Sequence, residues 1–393
     1  MIGQSMEWRI PFNKPALVGT ESGEVQQVFA QGKFAGGGTF NKACNRWLRD
    51  HLDASGVLIT TSCTHALEMA ALLCDLQPQD EVILPSYAFT STATAFARCG
   101  AKLVFVDCEA ATMNLDANAV AAAITPRSKV IVALHYAGVS CDMRALRALA
   151  DEHGLKIVED AAQALFASYD GKPCGTLGDY GCFSFHETKN MHCGEGGALV
   201  LNRPEDVQKA EVLLEKGTNR MQFFRGETSR YEWVGMGSSY VPSELNAAFL
   251  LAQLKAGAQI TQARLASWQS YERLLRPLEE AGHVALPNPP RDCQHNAHIF
   301  WIKLAGKPER DAMIAHLKAQ GIAAVFHYIP LHSAPAGRVY GTFHGEDINT
   351  TRESERLLRL PLYYAITQEE IAEVVHAVTA FFALTGETHS AVG

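Results

Sequence analysis

"KVIVALHYAGVSCDMRALRALADEHGLKIVED", residues 129–160, decides the fold of this chain. Two short runs rich in valine, isoleucine and leucine flank a stretch whose apolar residues recur every third or fourth position, the pattern of strand, helix, strand. The alternation extends back through "GVLIT" (56–60), "THALEMAALLCDL" (64–76), "EVILP" (81–85), "STATAFARCG" (91–100), "KLVFVD" (102–107) and "LDANAVAAAI" (115–124). Repeated βα units predict an α/β fold with a mostly parallel central sheet flanked by helices. The strand runs are continuously apolar because helices cover such a sheet on both faces. Ligands settle at the carboxyl ends of its strands. Asp107, His135 and Asp160, each at or just past a strand end, are therefore expected to face a site.

The chain has 393 residues, 47% hydrophobic and 19% charged, a globular balance that allows a large domain and a smaller one. A net charge of −8 offers no broad basic surface for a nucleic-acid backbone. The longest apolar runs are far shorter than a membrane span, and the opening "MIGQSMEWRIPF" has no apolar leader core. A soluble, cytoplasmic protein is expected. Ten cysteines are scattered from Cys44 to Cys293 with no CxxC pair and no Cys/His zinc spacing, which predicts reduced thiols and no metal site.

Downstream, residues 203–245 carry charges and aromatics without clear periodicity and read as one long functional loop. Residues 243–282 read as a continuous helix ended by Gly282. "NAHIFWIKL" and "AAVFHYIPLH" read as strands and "RDAMIAHLKAQG" as a helix, a small α/β cap. The expected division is a large cofactor-binding domain, 1–245, followed by a linking helix and small C-terminal domain, 246–393.

Four segments carry chemistry. In "TSCTHALEMA" (61–70), Ser62, Cys63 and Thr64 open a helix whose free amides suit a phosphate, though simple N-capping explains them equally. In "VEDAAQ" (158–163), Asp160 ends an apolar strand and needs either a cationic partner or a helix amide to cap. In "SFHETKNMHCGEGGALVL" (184–201), Lys189 lies between a strand and a glycine turn, as a surface ammonium or as an amine whose proton is easily lost. In "PSYAFTST" (85–92), Phe89 or Tyr87 either stacks on a ligand ring or belongs to the core. "GKFAGGGTF" (32–40) reads as a flexible loop bordering the site; it precedes the first clear strand, so no dinucleotide fingerprint is present.

Taken in order, "PSYAFTSTATAF", "GAKLVFVD", "VEDAAQA", "GCFSFHETKN", "GEGGAL" and "FHYIPLH" make the chain, from about Ile10 to about residue 381, resemble the DegT/DnrJ/EryC1/StrS sugar aminotransferases. The resemblance implies the type I aminotransferase fold and pyridoxal 5′-phosphate, held covalently by Lys189. It implies that Asp160 pairs with the pyridine nitrogen, that Gln163 neighbours the phenolic oxygen, that Phe89 stacks, and that Ser62, Cys63, Thr64 and Ser184 contact the phosphate. Most members add an asparagine from a second subunit; Ser238 of "SSYVPSELNAA" stands in that place. Arg220 of the "EKGTNR" loop, with Arg225 and Arg230 beyond it, and His327 and His332 of "FHYIPLH" are the implied substrate contacts. A homodimer with shared active sites follows from the same likeness.

"SFHETKN", "EKGTNR", "FFRG" and "FHYIPLH" together resemble the branch that moves an amino group from L-glutamate to C4 of dTDP-4-keto-6-deoxyglucose. Other readings are amination at C3 or of a UDP-linked sugar, a dehydratase of the same fold, and a non-catalytic cofactor-binding protein. The dehydratases carry histidine where this chain has Lys189.

Overall fold

The computed structural model describes residues 8–390. Most of the opening stretch read above for a leader, through Glu7, lies outside them. Among the described residues the strands that matter here are β1 (Gly56–Thr60), β2 (Glu81–Pro85), β3 (Lys102–Val106), β4 (Ser128–Leu134), β5 (Lys156–Asp160), β6 (Tyr180–Ser184), β7 (Gly197–Leu201), β8 (Phe300–Lys303), β9 (Val325–Phe326), β10 (Gly341–Phe343) and β11 (Leu357–Leu360).

An eight-stranded sheet runs in the order β1-β7-β6-β5-β4-β2-β3-β10. β7 is antiparallel to both its neighbours and every other pairing is parallel. The apolar runs form its middle: Val82, Ile83, Val130, Ile131, Ile157 and Val158 are all fully buried, as a sheet covered on both faces requires. Helices appear where the periodicity placed them, including Cys63–Leu73, Thr90–Ala97 and Met143–His153. No described helix is long and apolar enough to cross a membrane, and all ten cysteines are free thiols.

A second sheet, β8-β11-β9, is antiparallel throughout. Phe300, Ile302, Leu358 and Leu360 of its strands pack into a core with the helix Gln368–Ser390, and Ile10 joins them through a bridge to Ile322. β10, from the C-terminal third of the chain, crosses back to edge the large sheet beside β3.

The structure corrects the sequence reading in three places. The stretch 203–245 is not all loop: Val207–Leu214 is a helix that buries Ala210, Leu213 and Leu214, and Arg220–Arg225 is a short one. The helix expected over 243–282 is two helices, Glu244–Lys255 and Gly257–Glu280, broken at Ala256. A Cβ at Gly257 would lie 2.4 Å from the Phe166 ring, so the chain turns there against a close neighbour. The glycine loop 32–40 is also held tightly. The Glu244 carboxylate accepts from the amides of Gly38, Phe40 and Asn41, and a Cβ at Gly38 would strike that carboxylate at 2.5 Å.

Candidate active site

The parallel strands all point one way, so the carboxyl ends of β1, β5 and β6 open on one cleft. Past β1, Ser62 caps the helix Cys63–Leu73, its hydroxyl accepting the His65 amide at 3.1 Å. The Cys63 and Thr64 amides of that first turn have no intrahelical acceptor and remain available to an anion. Thr64 Oγ1 meets Ser91 Oγ at 2.7 Å, which fixes this turn to the helix Thr90–Ala97. Gly197 lies beneath: a Cβ there would come within 2.4 Å of the Cys63 amide nitrogen, so only glycine allows β7 to pass so near.

Asp160 ends β5 and is 3% exposed. One carboxylate oxygen accepts the Thr92 hydroxyl at 2.6 Å and the other the Ala162 amide at 3.2 Å; no cationic side chain pairs with it among the described residues. Burial therefore raises its pKa, and Thr92, Ala162, Lys189 and His135 offset that only in part. Gln163, also buried, accepts the Ala137 amide at 2.6 Å and donates to the Tyr328 hydroxyl at 3.2 Å.

Lys189 sits in the turn between β6 and β7, its amide donating to the His186 carbonyl at 2.9 Å. The side chain reaches a pocket lined by Gln163, Ser184, Asn190, Asn296 and His298. Its amino group has no hydrogen-bond or ion-pair partner among the described residues. Desolvation pushes its pKa down; Cys63 and Asp160 pull it partly back, and Arg359 pushes it further down. That is the electrostatic condition for an amine that reacts as a nucleophile and base.

Of the two candidate ring-stacking aromatics, Tyr87 is fully buried and its hydroxyl bonds to that of Tyr136, whereas Phe89 is 58% exposed with its ring 6.4 Å from that of Tyr328. Only Phe89 offers a face to a ligand. Tyr328 adopts a left-handed backbone, φ 48°, a strained choice for an aromatic residue.

Not every strand-end residue serves this cleft. Asp107 accepts the amides of Ile348, Asn349 and Thr350 and so anchors the helix Thr350–Arg356. His135 is buried against Glu159 at 2.8 Å, and its Nδ1 accepts the Cys141 amide, which leaves Nε2 as the donor to Glu159. The expectation that both face the site is therefore corrected: each is consumed in holding local structure.

His327 is buried, its ring 2.9 Å from the Tyr136 hydroxyl, and desolvation holds its pKa well below the ordinary value. His332 is pinned between Ser86 Oγ at 2.7 Å and Asp347 at 3.3 Å. Ser184 lines the lysine pocket, but Ser238 and Arg220 lie on a separate arm. Ser238 is exposed and tied by its backbone to Leu213 and Lys216; Arg220 pairs loosely with Glu215 at 3.8 Å and rests on Phe224. Arg225 is not a free cation, since Glu211 takes its fork at 2.7 and 2.8 Å and Glu227 binds it too. Arg230 makes no side-chain ion pair among the described residues.

Sequence reasoning missed Thr92, Asn190 and Asn296. Asn296 is buried, donates to the carbonyls of Gln163 and Leu165 at 2.8 Å, and accepts the His298 amide, while its own carbonyl takes the Asn190 amide group. It thus binds the Asp160 turn, the Lys189 turn and the approach to β8 together. "QHNAHIF" carries no pattern that announces this.

Comparison with known proteins agrees with the geometry. The profile of the DegT/DnrJ/EryC1/StrS aminotransferase family matches residues 15–379. The spore coat polysaccharide biosynthesis protein SpsC of Bacillus subtilis is 30% identical over 94% of this chain and 96% of its own length. A pleiotropic regulatory protein of Geobacillus stearothermophilus is 33% identical over 81% of this chain and 82% of its own. The crystal structure of the aminotransferase TlmJ from Streptoalloteichus hindustanus superposes with a TM-score of 0.88 at 31% identity, covering 96% of this chain and 99% of that one.

Fold and cleft thus define an aminotransferase of the α/β type that works with pyridoxal 5′-phosphate. The chain belongs to the DegT/DnrJ/EryC1/StrS aminotransferase family.

Proposed function

We propose that this chain transfers the amino group of L-glutamate to C4 of dTDP-4-keto-6-deoxy-D-glucose, yielding dTDP-4-amino-4,6-dideoxy-D-galactose for surface polysaccharide biosynthesis. One observation carries the transfer chemistry: Lys189 presents an unpaired amine of lowered pKa beside the buried carboxylate of Asp160, which also has no cationic partner. The sugar assignment rests on the "SFHETKN", "EKGTNR", "FFRG" and "FHYIPLH" segments.

The residues present fit pyridoxal phosphate. Asp160 is a buried acceptor lacking a cation, as a protonated pyridine nitrogen would be; the Cys63 and Thr64 amides with Ser62 and Ser184 suit the phosphate; Phe89 offers an exposed ring face. Gln163 Nε2, already aimed at Tyr328, suits the phenolic oxygen. When bound, the cofactor supplies an electrophilic carbon for the amine and a ring that accepts the electrons released with the proton. Asp160 keeps the positive charge at the ring nitrogen favourable, with Thr92 fixing its orientation. Lys189 Nζ would hold the cofactor and, when free, would be the base placed to take the proton from the α-carbon of glutamate. It returns a proton to C4 of the sugar. One amine therefore anchors, accepts and donates.

The arm 217–240 is read as reaching a second copy. Phe224, Trp233 and Met236 on it are 70%, 78% and 76% exposed, a concentration of apolar surface that suits an interface. Ser238 and Arg220 would complete the partner's phosphate and substrate subsites in a cytoplasmic homodimer. To test the substrate, keto-sugar nucleotides differing in base and in ketone position are supplied with glutamate, and the product's amine position and C4 configuration are read by NMR. The proposed substrate should be aminated fastest at C4 with the galacto configuration. Preferred amination at C3, or of a UDP-sugar, would overturn the assignment.

A further inference from the structure

The segment that leads into β8 is held by contacts that are themselves costly. Arg264, buried in the helix Gly257–Glu280, aims its guanidinium at it: Nε donates to the Ala297 carbonyl at 3.1 Å and Nη2 to the His298 carbonyl at 2.8 Å, with the Leu362 carbonyl a third acceptor at 3.3 Å. No carboxylate pairs with Arg264 among the described residues, and burial pushes its pKa down to about 9. Ala297 takes a left-handed backbone, φ 52°, which is unfavourable for a residue with a Cβ. Asn296 Oδ1 accepts the His298 amide at 3.1 Å. A buried cation without a counter-charge and a strained alanine both bear on His298, so the placement of that one residue matters to the molecule.

The His298 ring is fixed in one tautomer. Asn190 Nδ2 donates to the Asn296 carbonyl at 3.0 Å, so it is Asn190 Oδ1 that lies 2.9 Å from His298 Nδ1, and Nδ1 must carry the proton. Burial holds the pKa of the ring well below its ordinary value, and the cations Lys189, Arg264 and Arg359 lower it further. The imidazole is therefore neutral, with a bare lone pair on Nε2. That nitrogen has no hydrogen-bond partner among the described residues, and the ring lines the same pocket as Lys189. Other acceptors around the pocket are already occupied: Gln163 Oε1 by the Ala137 amide, Asn190 Oδ1 by His298 itself, and Asn296 Oδ1 by the His298 amide. Ser184 is read above as a phosphate contact and Asp160 as the partner of the ring nitrogen. His298 Nε2 is left to receive a donor that enters beside Lys189.

We propose that His298 Nε2 accepts an N–H of the amino donor's ammonium, holding the donor nitrogen beside Lys189 as it arrives to exchange with that amine. This rests on the aminotransferase reading above and adds to it a contact with the group that is transferred. An ammonium carries three N–H donors and a neutral imidazole can receive one of them, in a charge-assisted bond stronger than a neutral one. An imidazolium would repel the ammonium instead. The tautomer set by Asn190 and the burial of the ring are thus what make the contact attractive, and Asn190, Asn296 and Arg264 are positioning residues for it. Glutarate, the same dicarboxylate as glutamate without the amine, cannot form the bond. The keto-sugar nucleotide brings no ammonium and should be indifferent to it.

The test compares wild type with His298→Phe, His298→Gln and Asn190→Asp, each shown by thermal melting and by the cofactor's visible band to fold and load. Loading with deoxypyridoxine phosphate, which lacks the reactive carbonyl, lets calorimetry measure glutamate and glutarate without turnover. His298→Phe should weaken glutamate by roughly ten- to a hundredfold, the scale for a lost hydrogen bond to a charged group, and leave glutarate as in wild type. His298→Gln, which retains an acceptor, should fall between. Asn190→Asp sets a carboxylate against Nδ1 and so raises the affinity of the ring for a proton; its glutamate binding should weaken as the pH falls from about 8 to about 6, while that of wild type stays flat. Glutamate binding unchanged in His298→Phe would overturn the proposal. So would equal weakening of glutamate and glutarate, the result of a merely structural role, or a loss confined to the half-reaction with the keto-sugar nucleotide, which would make His298 a sugar contact. If wild type does not distinguish glutamate from glutarate but prefers another amino acid to its amine-free counterpart, and His298→Phe erases that preference, glutamate is removed as the donor and the acceptor role stands.

Discussion

The Thr92 hydroxyl donates to the Asp160 carboxylate over 2.6 Å, and both side chains are buried. The short bond leaves the carboxylate one fixed orientation at the floor of the cleft. If Asp160 works by holding charge at the cofactor ring, Asp160→Asn should keep the fold and the cofactor yet lower kcat by about 10²–10³, the scale for loss of a preorganised charge. Thr92→Val should cost less, about tenfold, because the carboxylate stays but loses a charge-assisted bond. Steady-state rates of both variants decide this. Asp160→Asn with wild-type kcat would mean that the carboxylate merely caps its own turn.

The same carboxylate carries a pH signature. Its folded-state pKa is raised above the unfolded value, chiefly by burial, so its contribution to stability is whole at pH below the unfolded value and is lost as the pH rises through the folded one. Without cofactor, Asp160→Asn should therefore melt at a higher temperature than wild type at neutral pH, with the gap narrowing as the pH falls toward the ordinary carboxyl range. Cofactor should reduce or reverse the gap by giving the carboxylate its cation. An apoprotein variant that melts lower than wild type at neutral pH contradicts the sign.

Asn296 is expected to matter for assembly of the site more than for the proton transfers. Asn296→Ala removes buried bonds to the Gln163 and Leu165 carbonyls and a half-buried one to the His298 amide. A stability loss of roughly 2–4 kcal/mol follows from leaving such groups unpaired. Chemical denaturation measures it, and cofactor retention should weaken in parallel. A change below about 0.5 kcal/mol, the scale of an inert surface site, would argue against the bridging role.

The arm that carries Ser238 and Arg220 leads to a complementation experiment. An inactive Lys189→Ala chain is mixed with an inactive chain altered at both Ser238 and Arg220, and subunits are allowed to exchange. Shared sites give heterodimers one working centre, so activity should return to part of the wild-type level. Demonstrated exchange without recovery, or an active monomer by light scattering, would sink the shared-site proposal.

Much of this was legible because its causes are local. Continuous apolar runs such as "KVIVALH" and "KIVED" announce strands covered on both faces, and the carboxyl ends of the strands place Ser62, Asp160 and Lys189 at one end of the sheet. What escaped the sequence depends on residues meeting from afar. The helix break at Gly257 is dictated by the ring of Phe166, and the stiffness of the glycine loop by Glu244. Arg225 reads as a free cation until Glu211 is seen beside it. Thr92 reads as an ordinary helical threonine, and Asn296 as a loop residue, because their partners lie on other elements. Asp107 and His135 show the opposite failure: a strand-end position predicts orientation toward a site, but tertiary neighbours took both side chains for structure.

The central claim is that Lys189 carries the cofactor. Purified protein should be yellow; reduction with borohydride should bleach the band and fix a pyridoxyl group to the chain. Proteolysis and mass spectrometry then locate it. The account requires the label on Lys189, within "HETKNMHCGEGG", and neither yellow band nor label in Lys189→Ala. A label on another lysine, or full transamination by Lys189→Ala, would contradict it.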